Sequence, residues 1–579
     1  AFNQAAIARA FGTSLRVKSS VDQGTNVTTW DEFANAIKNR DKVININHDL
    51  DLEGISIDYD VTINANGNHL YANDNVVSIT NHNSSSADLN VTVENAKIYG
   101  TSTGTFSLYG NDGNVNLTLD NIKFTGGTLV WTNTVSWLHE FNLTFKGDNT
   151  VTAGEYNNNG TEQKPSYFKK DGATTQLYVG NEVKVADGAS LTMNANNSVD
   201  YNIMEKGNKY DHSFIVGEGA KVTMTGTNVG NVIQDQYVSK GAWNNIVNFG
   251  DGANVTMTAP TVNVLMNNGG GALDLDLSNS PHDSTFTINP SATVNLTTTK
   301  NGSSNGQGNI VITGGSSYYY SNDNTVTKGD GYANHTAEIT IDKGANVTMS
   351  AARNSSNIIS NAQTTKVNIN DPNSVVLMNH GGQAYTAIGS ESTITVTTTG
   401  ARVTTTNIDT DSTSSPVLNS DITNYQSNGE VDLGDTTPAN KKVLDSIANS
   451  DTTKVTYKGK TNIEASESAS TSTSKSQSIA DSQSIAASQN IADSQNASKQ
   501  ASALKSQSIA DSQNASQNAS INRSQSIADS ENASTNRSQS IADSQNASQN
   551  ASTNRSQSIA DSQNASKQAS VLKSQSIAD

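Results

Sequence analysis

The sequence predicts an all-β fold, a right-handed parallel β-solenoid with an N-terminal cap helix, followed by a low-complexity serine-rich repeat tail. Three observations predict this architecture. A strand–turn–strand unit recurs through the first 400 residues, the composition changes abruptly near residue 463, and a short serine-rich unit repeats beyond that point. A single strand–turn–strand unit is too short to bury its own apolar face, so neighbouring copies must stack.

The clearest copy of the repeated unit is Val247–Met257, in which Val, Phe and Met alternate with Asn and Thr. This alternation predicts two short strands with one apolar face, and Asp251-Gly252 supplies the turn between them. The largest gap between successive copies, from Ile288 to Ile341, predicts one more coil at Ile310–Ile312, which gives about twelve coils and a rod of roughly 55 Å. A β-sandwich also shows alternating strands, but the recurrence of Gly-Ala-x-Val-Thr-Met favours the solenoid.

Both ends of a solenoid expose strand edges, so we expect caps. Apolar residues at helical spacing from Trp30 to Ile37, preceded by Thr28 and Thr29 as N-caps, predict an amphipathic cap helix in which Trp30 belongs to the core. Strand-like pieces such as Lys454–Tyr457 predict the other cap. The predicted domains are an N-terminal segment (1–27), the solenoid (28–400), a C-terminal cap and linker (401–463) and the serine-rich stalk (464–579).

The tail from Glu464 to Asp579 contains 34 Ser and no Gly, Pro or aromatic residue, and it repeats Ser-Gln-Ser-Ile-Ala-Asp. Its dominant 18-residue unit equals five helical turns, so a helix is geometrically possible. Because Ser and Asn are mediocre helix formers, we favour an extended or disordered stalk over a helix. The tail is either a plain spacer or a spacer whose serine hydroxyls carry O-linked sugar. For the second alternative we single out five serines: Ser508, Ser512, Ser516, Ser520 and Ser524.

The composition excludes several function classes. A net charge of −18 without a basic run argues against nucleic acid as a partner. The absence of Cys excludes thiolate metal sites and a cysteine nucleophile. No apolar run is long enough to span a membrane. The chain begins at Ala1 and stops within a repeat unit, so we expect it to be processed or trimmed at both ends, with the stalk truncated.

A repeated β-unit containing Asp251–Met257, placed before regular Ser-Gln-Ser-Ile-Ala-Asp repeats, resembles the serine-rich repeat adhesins of lactobacilli. The resemblance implies a pectate-lyase-like solenoid that binds its ligand, displayed on an O-glycosylated stalk. It implies secretion to the cell wall of a Gram-positive bacterium, with glycosyltransferases that modify the tail. The implied partners are host epithelial or mucin glycoproteins, or acidic polysaccharides. An export signal and a wall-anchor motif are missing from the chain.

The residues do not predict an enzyme, a cofactor or a metal site. The alternative is a β-helix polysaccharide lyase or hydrolase acting on pectin-like substrates, which would need a basic residue beside clustered acids or paired carboxylates. The nearest carboxylate pairs, Asp49/Asp51 and Asp274/Asp276, alternate with Leu as on the outer face of a strand. His380 lies in Asn-His-Gly-Gly, which faintly resembles a hydrolase motif, but the Arg-Ile-Lys that accompanies that motif is absent.

Four long insertions between strands are rich in aromatics and Lys, which suit sugar rings and acidic groups respectively. We therefore predict an elongated groove for an acidic glycan, with the alternative that these residues are solvated or pack locally. Acidification would neutralise carboxylates, so we expect binding to strengthen at acid pH. The candidate ligand-binding residues are Tyr167, Lys169, Lys170, Lys206, Lys209, Tyr210, Tyr237, Lys240, Trp243, Tyr318, Tyr319, Tyr320 and Lys328.

Overall fold

A computed structural model divides the chain into two compact units, Ala1–Ser474 and Lys475–Asp579. The structure describes residues 23–82, 86–110, 112–133, 139–158, 161–170, 172–206, 211–235, 244–267, 282–302, 307–313, 332–380, 384–388, 392–399, 403–407, 420–427, 430–431, 452–459 and 489–578. The described part of the first unit consists of β-strands and one helix, and that of the second unit is a helix.

The first unit is a parallel β-solenoid, which confirms the predicted fold class. Its strands form three parallel stacks, here called A, B and C, and the strands Leu89–Gly110 and Val115–Thr132 each run through all three. The other strands of stack A are Thr25–Val27, Val43–Ile46, Val61–Asn64, Phe141–Lys146, Glu182–Val185, His212–Val216, Asn245–Phe249, His282–Ile288, Tyr332–Ile341, Ala362–Asn370 and Thr393–Thr399.

Stacks B and C follow stack A in every full coil. The other strands of stack B are Leu50–Asp51, His69–Asn73, Asp148–Ala153, Ser190–Asn194, Lys221–Thr225, Asn254–Ala259, Thr293–Thr298, Asn346–Arg353, Ser374–His380 and Val403–Asn407. Those of stack C are Ile55–Ile57, Val77–Asn81, Ala173–Val179, Tyr201–Glu205, Gly230–Asp235, Val262–Asn267, Gly308–Thr313, Ser356–Ser360 and Tyr385–Ala387.

The third strand of each coil was absent from the sequence prediction. Ile310–Ile312 does not begin a further coil, because it lies in stack C and pairs with Val264–Met266 and Ile358–Ser360. Stack C escapes an alternation search because strands such as Val262–Asn267 and Gly308–Thr313 are buried at every residue. A strand that is covered on both faces does not alternate between apolar and polar residues.

Stacks A and B carry the core as the repeated unit predicted. In stack B the buried residues Val222, Val255 and Val294 face one another in register, and the outward Thr223 and Thr256 alternate with them. The turn from A to B contains one residue with positive φ in successive coils, which confirms the Asp-Gly turn. These residues are Gly188 (67°), Gly219 (62°), Gly252 (64°), Ser291 (63°), Gly344 (75°) and Asp371 (44°).

A ladder of buried side-chain amides runs along the strands of stack C and ends on Asn379 of stack B. Asn263 donates from Nδ2 to Asn309 Oδ1 at 2.7 Å and to the Thr297 carbonyl at 2.9 Å, and its Oδ1 accepts from Asn231 Nδ2 at 2.8 Å. The same side-chain bond links consecutive coils along the whole ladder, which is Gln176, Asn202, Asn231, Asn263, Asn309, Asn357 and Asn379. Each amide between the two ends of the ladder therefore depends on the coils on both sides of it.

The predicted N-terminal cap helix of the solenoid is confirmed, while the C-terminal cap stays a prediction. Helix α1 (Trp30–Lys38) begins after Thr29, whose hydroxyl accepts from the Glu32 amide at 3.2 Å, and it buries Phe33, Ala36 and Ile37. Trp30 is half-buried and packs on the core. At the other end, Thr452–Gly459 pairs antiparallel with Thr393–Thr399 and with Ser420–Ser427, which pairs with Glu430–Val431. This change of direction ends the parallel stack.

The proposed domain boundaries stay predictions, although the first strand of the sheet begins at Thr25 rather than Thr28.

The described part of the second unit is helix α2 (Gln489–Ala578), so the preference for an extended or disordered tail is wrong over these residues. Gln side chains donate to Asp one turn later, as Gln525 does to Asp529 at 2.8 Å, and serine hydroxyls bond to the carbonyl four residues before. No helix among the described residues is long and apolar enough to cross a membrane.

Candidate functional site

The insertion at 154–172, which the sequence singled out, folds over the solenoid surface. It contains the antiparallel strands Tyr156–Asn158 and Thr161–Gln163, and then Phe168–Lys170, which pairs antiparallel with Ala173–Val179 of stack C. Its backbone is fixed to earlier coils, because the Ser166 amide donates to the Thr101 carbonyl at 2.7 Å and the Ser166 carbonyl accepts from the Thr128 amide at 3.1 Å. The insertion thus lies against the turn from B to C of the two preceding coils.

Tyr156 anchors the beginning of the insertion on the side of stack B. Its hydroxyl donates to Asn73 Oδ1 at 2.7 Å, and its ring centroid lies 5.2 Å from that of Tyr99. The side chain is 5% exposed, and burial raises the pKa of Tyr156 to about 12. Tyr156 therefore packs locally and remains a neutral hydrogen-bond donor at physiological pH.

Phe168 anchors the end of the insertion on the outer face of stack C. Its ring lies 4.4 Å from that of Tyr178 and 5.3 Å from that of Trp131, and its amide donates to Thr128 Oγ1 at 2.5 Å. Tyr178 is buried, whereas Trp131 and Phe168 are half-buried. Part of the aromatic content of the insertion thus packs locally, while the half-buried rings retain surface that a ligand can contact.

Two predicted site residues flank this aromatic cluster. Tyr167 is half-buried, and its hydroxyl accepts from Asn196 Nδ2 at 3.0 Å, while burial raises its pKa. Lys169 is exposed and acts electrostatically on Asp200. Burial raises the pKa of Asp200, and hydrogen bonds from Thr174 and Asn228 together with the charge of Lys169 oppose that rise. The end of the insertion therefore carries half-buried rings, a hydrogen-bonded tyrosine and one exposed ammonium.

Lys206 does not fit the solvent-facing role that the sequence predicted for it. It is 3% exposed and follows Glu205, at the end of the stack C strand Tyr201–Glu205. Burial raises the pKa of Glu205 well above its usual range, although Gln234 Nε2 and the Ser213 amide donate to it. The error has the same source as the missed third strand, since 194–213 was treated as a loop.

The remaining predicted residues are only partly covered by the structure. Lys170 lies in the strand Phe168–Lys170, and its side chain is outside the described part, as is that of Ser508. On helix α2, Ser512, Ser516, Ser520 and Ser524 are exposed. Nine predicted binding residues lie outside the described residues: Lys209, Tyr210, Tyr237, Lys240, Trp243, Tyr318, Tyr319, Tyr320 and Lys328.

Sequence reasoning missed Trp131, Asn196 and Asp200. Trp131 lies opposite Tyr178 in stack C, so recognition of a third strand at Leu129–Thr132 would have placed it beside the insertion.

Within the described residues no group of three or more His, Asp or Glu could hold a metal ion. Of the carboxylate pairs, Asp49 accepts from the amide and Nδ1 of His69, and Asp274/Asp276 lie outside the described part.

Comparison with known proteins finds a family model and solved structures that are similar to parts of this chain. Residues 24–136 match the family model of a "putative pectate lyase-like adhesive domain". A solved structure of L. reuteri 53608 SRRP, a serine-rich repeat protein, is 20% identical, with a TM-score of 0.42, and covers 57% of this chain and 99% of its own. A second, L. reuteri 100-23 SRRP, is 18% identical, with a TM-score of 0.38, and covers 64% and 98%. None of the curated proteins matches the chain.

The match at 24–136 confirms the predicted resemblance to an adhesive, pectate-lyase-like domain for that part of the chain. The matched residues include the coils that carry Tyr99 and Trp131, on which the insertion packs. An adhesive domain fits a binding protein rather than an enzyme.

Proposed function

We propose that the chain is a cell-surface adhesin of a Gram-positive bacterium whose β-solenoid binds host or environmental glycans or glycoproteins. The observation that carries the proposal is the insertion at 154–172. Its half-buried Phe168 ring stacks on Trp131 of stack C, and the following residue, Lys169, is exposed and acts electrostatically on Asp200. Aromatic surface suits sugar rings, and a cation suits uronate, sialate or sulfate groups. The ligand class that fits best is an acidic polysaccharide or mucin glycan.

The serine-rich tail is proposed to project this surface from the cell wall. Helix α2 contains 90 residues, so at 1.5 Å per residue it reaches roughly 135 Å. The exposed hydroxyls of Ser512, Ser516 and Ser520 are accessible to glycosyltransferases, which supports the proposal that the tail carries O-linked sugar. No observation in the described residues favours a polysaccharide lyase or hydrolase over this assignment.

Replacing Lys169 by Ala is expected to weaken binding of the full chain to acidic polysaccharide about 5-fold, which is roughly 1 kcal/mol. Binding to neutral polysaccharide should not change, because the aromatic surface is retained. Biolayer interferometry on immobilised polysaccharides measures both. The matched control is Lys343→Ala, since Lys343 is also an exposed lysine and lies in a turn between A and B. Equal affinities for the parent and Lys169→Ala would remove the insertion from the binding surface.

Binding is expected to strengthen as the pH falls from 7 to about 4, the range in which His and carboxylates titrate. Asp200 contributes to this change, because burial raises its pKa and its protonation removes the negative charge that offsets Lys169. In the Asp200→Asn variant the affinity should already be raised at pH 7, and its pH profile should be flatter. A flat profile for the parent protein would contradict the expected acid dependence.

A further inference from the structure

The outer face of stack B, ahead of the insertion, carries two adjacent columns of functional side chains. His69 lies opposite Lys97 and Lys97 opposite Lys123 in register, and Tyr71 lies opposite Tyr99. Residues two apart on a strand point to the same face, and neighbouring strands lie about 4.8 Å apart. Three successive coils therefore present a basic column (His69, Lys97, Lys123) beside an aromatic column (Tyr71, Tyr99).

The rings of the aromatic column stack on one another. The Tyr71 and Tyr99 centroids lie 5.4 Å apart at an interplanar angle of 20°, and His69 lies 5.8 Å from Tyr71 at 5°. Tyr156 closes the column at 5.2 Å from Tyr99. The facing sides of the Tyr71 and Tyr99 rings lie against each other, and both half-buried residues present ring edges and hydroxyls. Ring edges carry partial positive charge and phenol hydroxyls donate, so both features favour an electron-rich ligand.

Beside this column, the positive charges of Lys97 and Lys123 are not neutralised by ion pairs within the described part of the protein. Both side chains are exposed, and neither takes part in a salt bridge with a described residue. Glu94 and Asp120 lie three residues before them, across the turn from A to B. At the other end His69 pairs with Asp49 at 3.2 Å, and Asp51 lies opposite Tyr71. The free positive charge is thus concentrated over Lys97 and Lys123, and the acidic end at Asp49 and Asp51 repels an anion.

We propose that the face formed by Lys97, Lys123, Tyr71 and Tyr99 binds a linear polysaccharide bearing carboxylate or sulfate groups, with the polymer running along the stack. The two lysines pair with successive anionic groups, and the tyrosine hydroxyls donate to sugar oxygens. This inference rests on the proposed function and adds a second binding surface to it. That surface lies on stack B, whereas Lys169 lies on a strand that pairs with stack C. Beyond Lys123 and Tyr99 the columns continue as Thr150 and Thr125, so the site is confined to the coils before the insertion.

The test uses the full chain and measures affinity for polygalacturonate, heparin, dextran and double-stranded DNA. Lys97→Ala/Lys123→Ala is expected to bind the acidic polysaccharides at least 10-fold more weakly, with dextran unchanged. Tyr71→Phe/Tyr99→Phe keeps the rings and removes only the hydroxyls, and it should weaken polysaccharide binding about 3-fold without affecting the thermal unfolding midpoint. Preference for polygalacturonate or for heparin distinguishes carboxylate from sulfate recognition, and either preference supports the proposal.

Each contrary outcome identifies what has failed. If the parent protein binds an acidic polysaccharide and the lysine double variant binds equally well, this face is not the site, while the proposed function stands. An unchanged affinity of the tyrosine double variant overturns the role of the hydroxyls. DNA binding that is as tight as polysaccharide binding, and lost equally in the lysine variant, replaces the polysaccharide with a general polyanion. Failure of the parent protein to bind any polysaccharide contradicts the proposed function itself.

Discussion

Replacing Asn263 by Ala is expected to lower the free energy of unfolding by about 3 to 5 kcal/mol, although it removes few atoms. Asn263 is fully buried in the amide ladder, where it accepts from Asn231 and donates to Asn309 and the Thr297 carbonyl. The substitution leaves buried polar atoms on both neighbouring coils without this partner, and each such atom costs about 1 to 3 kcal/mol. Coupling along the ladder adds to the loss.

Urea unfolding followed by circular dichroism measures this effect as a shift of the midpoint at unchanged slope. The matched control is Asn295→Ala, which makes the same chemical change at a half-buried position on the outer face of stack B. The control should lie within about 0.5 kcal/mol of the parent protein, as is typical of surface substitutions. Equal midpoints for the two variants would show that the ladder does not hold the coils together.

Replacing Phe249 by Ala is expected to lower the free energy of unfolding by about 3 to 5 kcal/mol, because it leaves a large cavity in the solenoid core. Phe249 is fully buried in stack A, with its ring edge-on to Phe286 at 5.2 Å and to Phe214 at 6.2 Å. Neighbouring coils are held in register by parallel pairing, so the walls of the cavity cannot collapse freely.

Thr287→Ala is the control for this variant, since Thr287 lies on the next strand of stack A and points outward. It should change the urea midpoint little. A loss below about 1 kcal/mol for Phe249→Ala would mean that the interior of the solenoid repacks around the missing ring, contrary to a rigid stack.

Stacks A and B could be predicted from the sequence because one face of each strand is exposed and alternation records it. Val255 and Met257 alternate with Thr256, and Gly252 marks the turn. Stack C could not be found in this way, because Val264, Leu265 and Met266 are all buried and no polar residue interrupts them. The asparagines of the ladder look like ordinary polar residues in the sequence, and their role depends on distances between coils.

The candidate site was predictable only in part for the same reason. Lys169 and Tyr167 were found because an insertion between strands is visible in the sequence. Trp131 and Tyr99 come from coils one and two turns earlier, and only the stacking register brings them to the insertion. Lys206 was misplaced because a buried strand was read as a loop.

For the tail, the prediction of an extended or disordered chain relied too heavily on composition. Ser and Asn have modest helix propensities. However, Gln539 and Asp543 lie one turn apart and hydrogen-bond at 2.8 Å, and the serine hydroxyls find backbone carbonyls within the same segment. The unit of 18 residues is five helical turns, so these contacts recur at the same position around the helix wherever the unit is repeated unchanged.

The most direct test of the central claim is the affinity of the full chain for polygalacturonate and for the same polymer with its carboxyl groups reduced to alcohols. The pair differs in charge while the sugar backbone is retained. The account predicts saturable binding to the acidic polymer at pH 5 and at least 10-fold weaker binding to the reduced polymer, because Lys169, Lys97 and Lys123 act on the carboxylates. Equal affinity for both polymers, or no binding to either, would contradict an adhesin for acidic glycans.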